Sequence, residues 1–173
     1  MRITLSSLLV LVLLVCGGCE QNAGTDPLQQ PPVAIADGDE CHVCGMIITR
    51  FPGPKGEAYV TRVEQPLKFC STRDLFAWLL QPETAAVVEQ IYVHDMAQTD
   101  WTHPDDTQLI DARGAWYVTG SERTGAMGPT LASFATREAA AAFAEQHGGR
   151  LLRFEEITLP VLKSLMDWPE NPR

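Results

Sequence analysis

Apolar and polar positions divide the chain into three regimes. Residues 8–15 (LLVLVLLV) are an unbroken apolar run of eight behind Met1-Arg2. Residues 20–36 are polar, carry three prolines and show no hydrophobic period. From Asp37 onward, short apolar runs alternate with turn signals. In that last region residues 46–49 (MIIT) read as a strand, because they are β-branched and bounded by Gly45 and the turn at 51–56. Residues 57–63 read as a second strand. Ser71 stands three residues before Asp74 and predicts the cap of a helix over 72–80, with Leu75, Trp78 and Leu79 on one face. Residues 87–93 form a third strand.

The second half follows the same order. Residues 109–119 hold one or two strands and 130–134 another; Thr136 caps a helix over 137–146 that Gly148-Gly149 ends. A strand over 150–157 and a helix over 159–168, with Pro160 in its first turn, complete the chain. Thr72-Arg73-Asp74 and Thr136-Arg137-Glu138 recur 64 residues apart, each after a short strand. The repeated order predicts an α+β fold with an internal duplication, its halves at about 37–97 and 98–168.

The N-terminal run reads as a signal-peptide core, too short for the roughly 20 residues a bilayer span requires. Gly17-Gly18-Cys19 at its end resembles a bacterial lipobox, which implies cleavage after residue 18 and lipidation of Cys19. Cys16 follows the bulkier Leu14-Val15 and is the poorer candidate. Residues 19–36 then form a lipidated tether. If flexible, its 17 residues from Glu20 span on the order of 20 to 25 Å root-mean-square. The expected location is a bacterial membrane surface facing the periplasm, leaving residues 169–173 as a tail.

Charge narrows the class of partner. The 173 residues carry 22 acidic and 13 basic side chains. Loss of Arg2 with the signal leaves 12 basic ones and a formal charge of −10. That balance excludes non-specific nucleic-acid binding, which needs a Lys/Arg surplus, and electrostatic adhesion to anionic headgroups. The lipid, rather than the protein surface, is expected to hold the chain at the membrane.

The chemistry concentrates at Cys41-His42-Val43-Cys44-Gly45-Met46. Two thiols separated by two residues face a common point across a tight turn, in metal knuckles and in dithiol redox sites alike. A thioredoxin-like site needs its first cysteine at a helix N-terminus; here a strand pattern follows, and Asp39-Glu40 precede. Structural zinc calls for four Cys/His ligands, usually as two pairs, and no second pair is present. Soft thiolate and thioether donors favour Cu(I), which is satisfied by two or three. Met46 and Met127, the latter between glycines in the loop 125–129, are the thioether candidates. Cys70, just before a helix, reads first as a buried small hydrophobe and second as a ligand; His42 also stands in the second tier. His94, Met96 and His103, among aspartates, read as surface residues.

Taken together, Cys41-His-Val-Cys44-Gly-Met46 after an acidic pair, Phe69-Cys70-Ser71 before a helix, and the 120–129 stretch, followed by 134–138 and His147-Gly-Gly149, resemble the NosL family. This is a family of copper-binding lipoproteins that serve nitrous-oxide reductase. The resemblance runs over almost the whole chain, lipobox included. It implies two small ββαβ-like halves and a Cu(I) metallochaperone, not an enzyme. It implies delivery of copper toward nitrous-oxide reductase, together with an ABC-type maturation complex in the membrane. The family often has proline before the loop methionine, where this chain has Ala126. The expected site is Cys44 and Met127 on one Cu(I), completed by Cys41 or Met46. The rival readings are a lipid-anchored thiol-disulfide oxidoreductase and a zinc-stabilised interaction module.

Overall fold

Two antiparallel sheets share one hydrophobic core in the computed structural model, which describes residues 30–166. The signal segment, Cys19, most of the tether, the predicted end of the last helix at Trp168 and the tail lie outside the described residues. The first sheet has the order β2-β1-β3-β4, built from β1 (Gly56–Val60), β2 (Leu67–Phe69), β3 (Val88–His94) and β4 (Leu109–Asp111). The second has the order β8-β5-β9, built from β5 (Trp116–Thr119), β8 (Ala132–Phe134) and β9 (Arg150–Arg153). Between β5 and β8 lies a small hairpin of β6 (Thr124–Gly125) and β7 (Gly128–Pro129).

The repeated order seen in the sequence is a repeated topology. In each half the first strand is central, the second and third flank it antiparallel, and a helix joins those two: α1 (Thr72–Leu79) in the first half, α2 (Arg137–His147) in the second. The α+β class and the ββαβ-like halves therefore describe the molecule. The seam is different from a cut at residue 97, since β4 pairs with β3 and extends the first sheet. The halves are fused through their core, where Phe69, Leu75, Phe76 and Ile91 of the first pack with Tyr117, Leu131, Leu152, Leu162 and Leu165 of the second. Leu162 and Leu165 come from α3 (Leu159–Met166).

Local chemistry sets the helix ends. Ser71 accepts a hydrogen bond from the Asp74 N–H at 3.0 Å and caps α1; Thr136 does the same for α2 through Ala139 N–H. Gly148 is the C-cap of α2; Gly149 follows at φ +100°, and a Cβ there would stand 2.6 Å from the Thr119 carbonyl oxygen. Only glycine fits that approach.

Three elements depart from expectation. Residues 46–49 are not a strand: Ile47 makes one bridge to Glu40, and Ile48–Arg50 is a single 3-10 turn. The β-branched pair marked burial rather than ladder pairing, for Ile48 is fully buried against cysteines. The second predicted strand stops at Val60, where the chain turns at Arg62 with φ 68°. The strand over 150–157 ends at Arg153 and continues as a 3-10 turn.

The tether is also shorter than its composition indicates. Residues 30–36 lie on the first sheet: Tyr92 and Tyr59 donate their hydroxyls to the carbonyls of Gln30 and Pro31, at 2.6 and 2.8 Å. Val33 N–H donates to the Glu57 carboxylate at 2.9 Å, and the Lys68 ammonium donates to the Ala34 carbonyl.

Candidate metal centre

The segment from Asp39 to Ile48 folds into a knuckle. Cys41 N–H donates to Met46 C=O and Ile48 N–H to Asp39 C=O, both at 2.9 Å, while Gly45 N–H closes the turn onto Cys41 C=O at 2.8 Å. Gly45 takes φ +71°, which a residue without Cβ adopts freely. Two links fasten the knuckle to β2: His42 N–H donates to Lys68 C=O at 2.8 Å, and the Lys68 ammonium pairs with the Asp39 carboxylate. This docking brings the C-x-x-C turn against the residue that follows β2, Cys70.

The result is a four-donor cluster. The ligand atoms of Cys41, Cys44, Cys70 and Asp74 all lie within 4.8 Å of one another. Cys44 Sγ is 3.6 Å from Cys70 Sγ, and the Cys70 thiol is 3.3 Å from Asp74 Oδ2, to which it donates. Cys41 and Cys70 are buried, and Cys44 is exposed. Ile35, Ile48, Met46 and Ala126 form the apolar surround.

The sulfurs pull one another's proton affinities apart. Interaction with the Cys70 side chain, helped by the N–H groups of Cys70, Cys44 and Val43, holds Cys41 well below the ordinary thiol range against the cost of burial. Cys70 is pushed up strongly, first by its interaction with Cys41, then by burial and by the charges of Cys41 and Asp74. Cys44 is raised chiefly by desolvation of its sulfur, which faces the cluster although the residue is exposed. Burial also raises Asp74. Behind the cluster the Lys55 ammonium is buried on the carbonyls of Phe51 and Pro52, its pKa lowered to about 8 by desolvation. A soft cation held by such thiols would displace protons from them on binding.

Met127 is at the tip of the β6–β7 hairpin and 43% exposed, and its neighbour Ala126 packs on the cysteine cluster. The hairpin is held there by Trp101, whose Nε1–H donates to Thr124 C=O at 2.9 Å and whose carbonyl accepts from Gly53 N–H at 2.7 Å. Met46 is half-buried beside the cysteines. His42 turns its ring edge-on to Phe69 and Trp78, with centroids 5.9 Å from each, and contributes to the knuckle through its backbone.

Two readings are corrected here. His94 and Met96 are buried, not surface, residues. His94 Nδ1 accepts from Lys55 N–H at 3.1 Å, and Met96 packs with Trp101 in a second core cluster. His103 is exposed, as expected. Asp74 was missed altogether. Its signal is Ser71-x-x-Asp74, which turns the third residue of the helix back over the residue preceding the cap. Cys41 and Cys44 also do not begin a helix, which removes the macrodipole a thioredoxin-like site requires.

The chain is similar to known proteins over most of its length. The sequence model of the NosL family matches residues 32–162. The chain is 52% identical over 159 residues, 90% of its length and 81% of the relative's, to the copper-binding lipoprotein NosL of Stutzerimonas stutzeri. It is 33% identical to the copper-binding lipoprotein NosL of Achromobacter cycloclastes, over 96% of this chain and 86% of that one. The crystal structure of the copper chaperone NosL from Shewanella denitrificans superposes with a TM-score of 0.75 at 52% identity, over 76% of this chain and 98% of the other.

Proposed function

Because the chain belongs to the NosL family, we propose that it is a non-enzymatic Cu(I) metallochaperone, anchored by a lipid on Cys19 and facing the periplasm. Its cargo is delivered for the maturation of nitrous-oxide reductase, with an ABC-type membrane complex as the other partner. The observation that carries this reading is the placement of an exposed thiol, Cys44, at the mouth of a buried thiolate cluster, with the thioether hairpin of Met127 packed beside it. Cys44 and Met127 take the ion, and Cys41 or Met46 completes a two- or three-coordinate set.

Soft donors in low coordination suit Cu(I) and leave an open face. Transfer then proceeds by ligand exchange: an incoming donor adds at the exposed side while a protein sulfur leaves, and no free ion forms. The cargo's departure returns a proton to Cys44, which restores its thiol.

The proximity of Cys70 and Asp74 gives a zinc-stabilised module the third and fourth donors that spacing alone withheld. Anaerobic titration with Cu(I) against a competing chelator, with zinc in parallel, separates the two. Near-stoichiometric Cu(I) uptake that survives zinc challenge and falls in Met127→Ala supports the chaperone; equal retention of zinc, or no effect of losing Met127, overturns the site. For the anchor, metabolic acyl labelling vanishes in Cys19→Ser; a persisting label moves the lipid elsewhere. For the delivery step, loss of copper from nitrous-oxide reductase made in cells lacking this chain supports it, and a fully loaded reductase refutes it.

A further inference from the structure

We propose that residues 30–36 are a strap whose docking on the first sheet keeps Cys41 and Cys70 closed, and whose release opens them, so that the site has a one-thiol and a three-thiol form. The inference needs neither the identity of the metal nor the lipid. It rests on where the strap is bound and on what its end covers.

The strap is held mostly by its main chain. The carbonyls of Gln30, Pro31 and Ala34 accept from Tyr92, Tyr59 and Lys68; the N–H groups of Gln30, Val33, Ile35 and Ala36 donate to Gln90 Oε1, Glu57 Oε1, the Asp106 carbonyl and Asp39 Oδ2. Seven bonds over seven residues make a seat built for a backbone. Only one strap side chain, Ile35, is buried: 3% exposed, it packs with Cys41, Ile48 and Cys70. Ile35 therefore serves as a plug over the two sulfurs that solvent does not reach, while Cys44 is open regardless of the strap.

Such a seat is also separable from the domain. It contributes no strand to either sheet, and its bonds lie outside the strand ladders, so the strap can open while the sheets stay paired. Lys68 and Asp39 hold both the strap and the knuckle, which ties strap docking to the cysteine turn.

Site-resolved alkylation of the metal-free, reduced, full mature chain in detergent tests this. In the parent, Cys44 reacts fast with iodoacetamide and Cys41 and Cys70 slowly. Ile35→Ala, and separately the double variant Tyr59→Phe with Tyr92→Phe, are expected to speed Cys41 and Cys70 by about tenfold or more, with Cys44 unchanged. The second variant touches no cysteine, and it loosens only the far end of the strap. Amide exchange at Val33 and Ile35 should accelerate by the same factor while β3 and β5 amides keep their protection. Unchanged rates at Cys41 and Cys70 in both variants overturn the proposal. So does an acceleration that appears only together with loss of protection in β3 and β5, because that is global unfolding.

Discussion

Cys44 and Cys70 stand 26 residues apart in sequence, yet their sulfurs approach to 3.6 Å across the seam between the knuckle and the end of β2. Cys70 is fully buried in the apolar cluster, as its sequence position suggested, and this contact also sets its sulfur beside the exposed thiol. Cys70→Ser is therefore expected to weaken Cu(I) binding about 10- to 100-fold, the range for groups that orient or back a ligand. Cys44→Ser should weaken it more. Chelator competition under anaerobic conditions measures both, and an affinity unaltered by Cys70→Ser would show that this sulfur does no more than fill space.

Met127 offers the opposite case, a side chain proposed to serve the cargo more than the fold. It sits on the hairpin tip with 43% of its surface exposed. Met127→Ala is expected to change unfolding free energy by no more than about 0.5 kcal/mol while lowering Cu(I) affinity. A thermal melt and a titration on the same sample check the pair of outcomes. A large loss of stability would mean that the hairpin depends on the methionine, contrary to its anchoring through Trp101 and Ala126.

What was legible in the sequence was local, and what was not depended on chain crossings. Cys41-x-x-Cys44 could be read because a tight turn is specified by four neighbouring residues. Ser71 and Thr136 declared their helices for the same reason. Cys70 and Asp74 join the site because His42 N–H finds the Lys68 carbonyl and Lys68 pairs with Asp39, contacts with no pattern in the sequence. Residues 30–36 were read as free tether because a segment bound through its carbonyls and N–H groups leaves no hydrophobic period. The strand expected at 46–49 failed because a buried isoleucine, Ile48, can pack on a cysteine cluster as well as pair in a ladder.

Close packing at Gly149 gives a prediction about the fold itself. Any Cβ there meets the Thr119 carbonyl at 2.6 Å and the Ser121 nitrogen at 3.0 Å, both backbone atoms that cannot swing aside. Gly149→Ala should cost roughly 1–3 kcal/mol, the usual range for overpacking, to which the φ of +100° adds strain. Gly38→Ala is the control, since a Cβ there has nothing within 4 Å and φ is unexceptional. Denaturant unfolding of the two variants is expected to separate them by at least 1 kcal/mol; equal midpoints would mean that β5 and the α2–β9 turn move apart without cost.

The buried Glu57 beneath the strap makes stability depend on pH in a direction that can be worked out. Its carboxyl is fully enclosed, with Oε1 accepting from Val33 N–H and Oε2 buried without a hydrogen-bond partner. Burial raises its pKa from 4.5 to about 7, although the Val33 N–H and the Lys68 ammonium pull the other way; Asp39 adds to the rise. The folded protein thus holds this proton more tightly than the unfolded chain does. The stabilisation is fully present below about pH 4.5 and is lost as pH rises to about 7, on the order of 3 kcal/mol in all. Buried His94, lowered from 6.5 to about 4 by desolvation, acts in the opposite sense, losing stability as pH falls through that window. The two slopes nearly cancel in the parent between about pH 4.5 and 6.5. Glu57→Gln removes one of them and keeps an acceptor for Val33. Its stability relative to the parent is therefore expected to climb steadily from pH 4.5 to 7 in denaturant titrations, and the variant alone should show the acid-side loss due to His94. Parallel curves for variant and parent across that range would mean that Glu57 binds its proton equally well folded and unfolded.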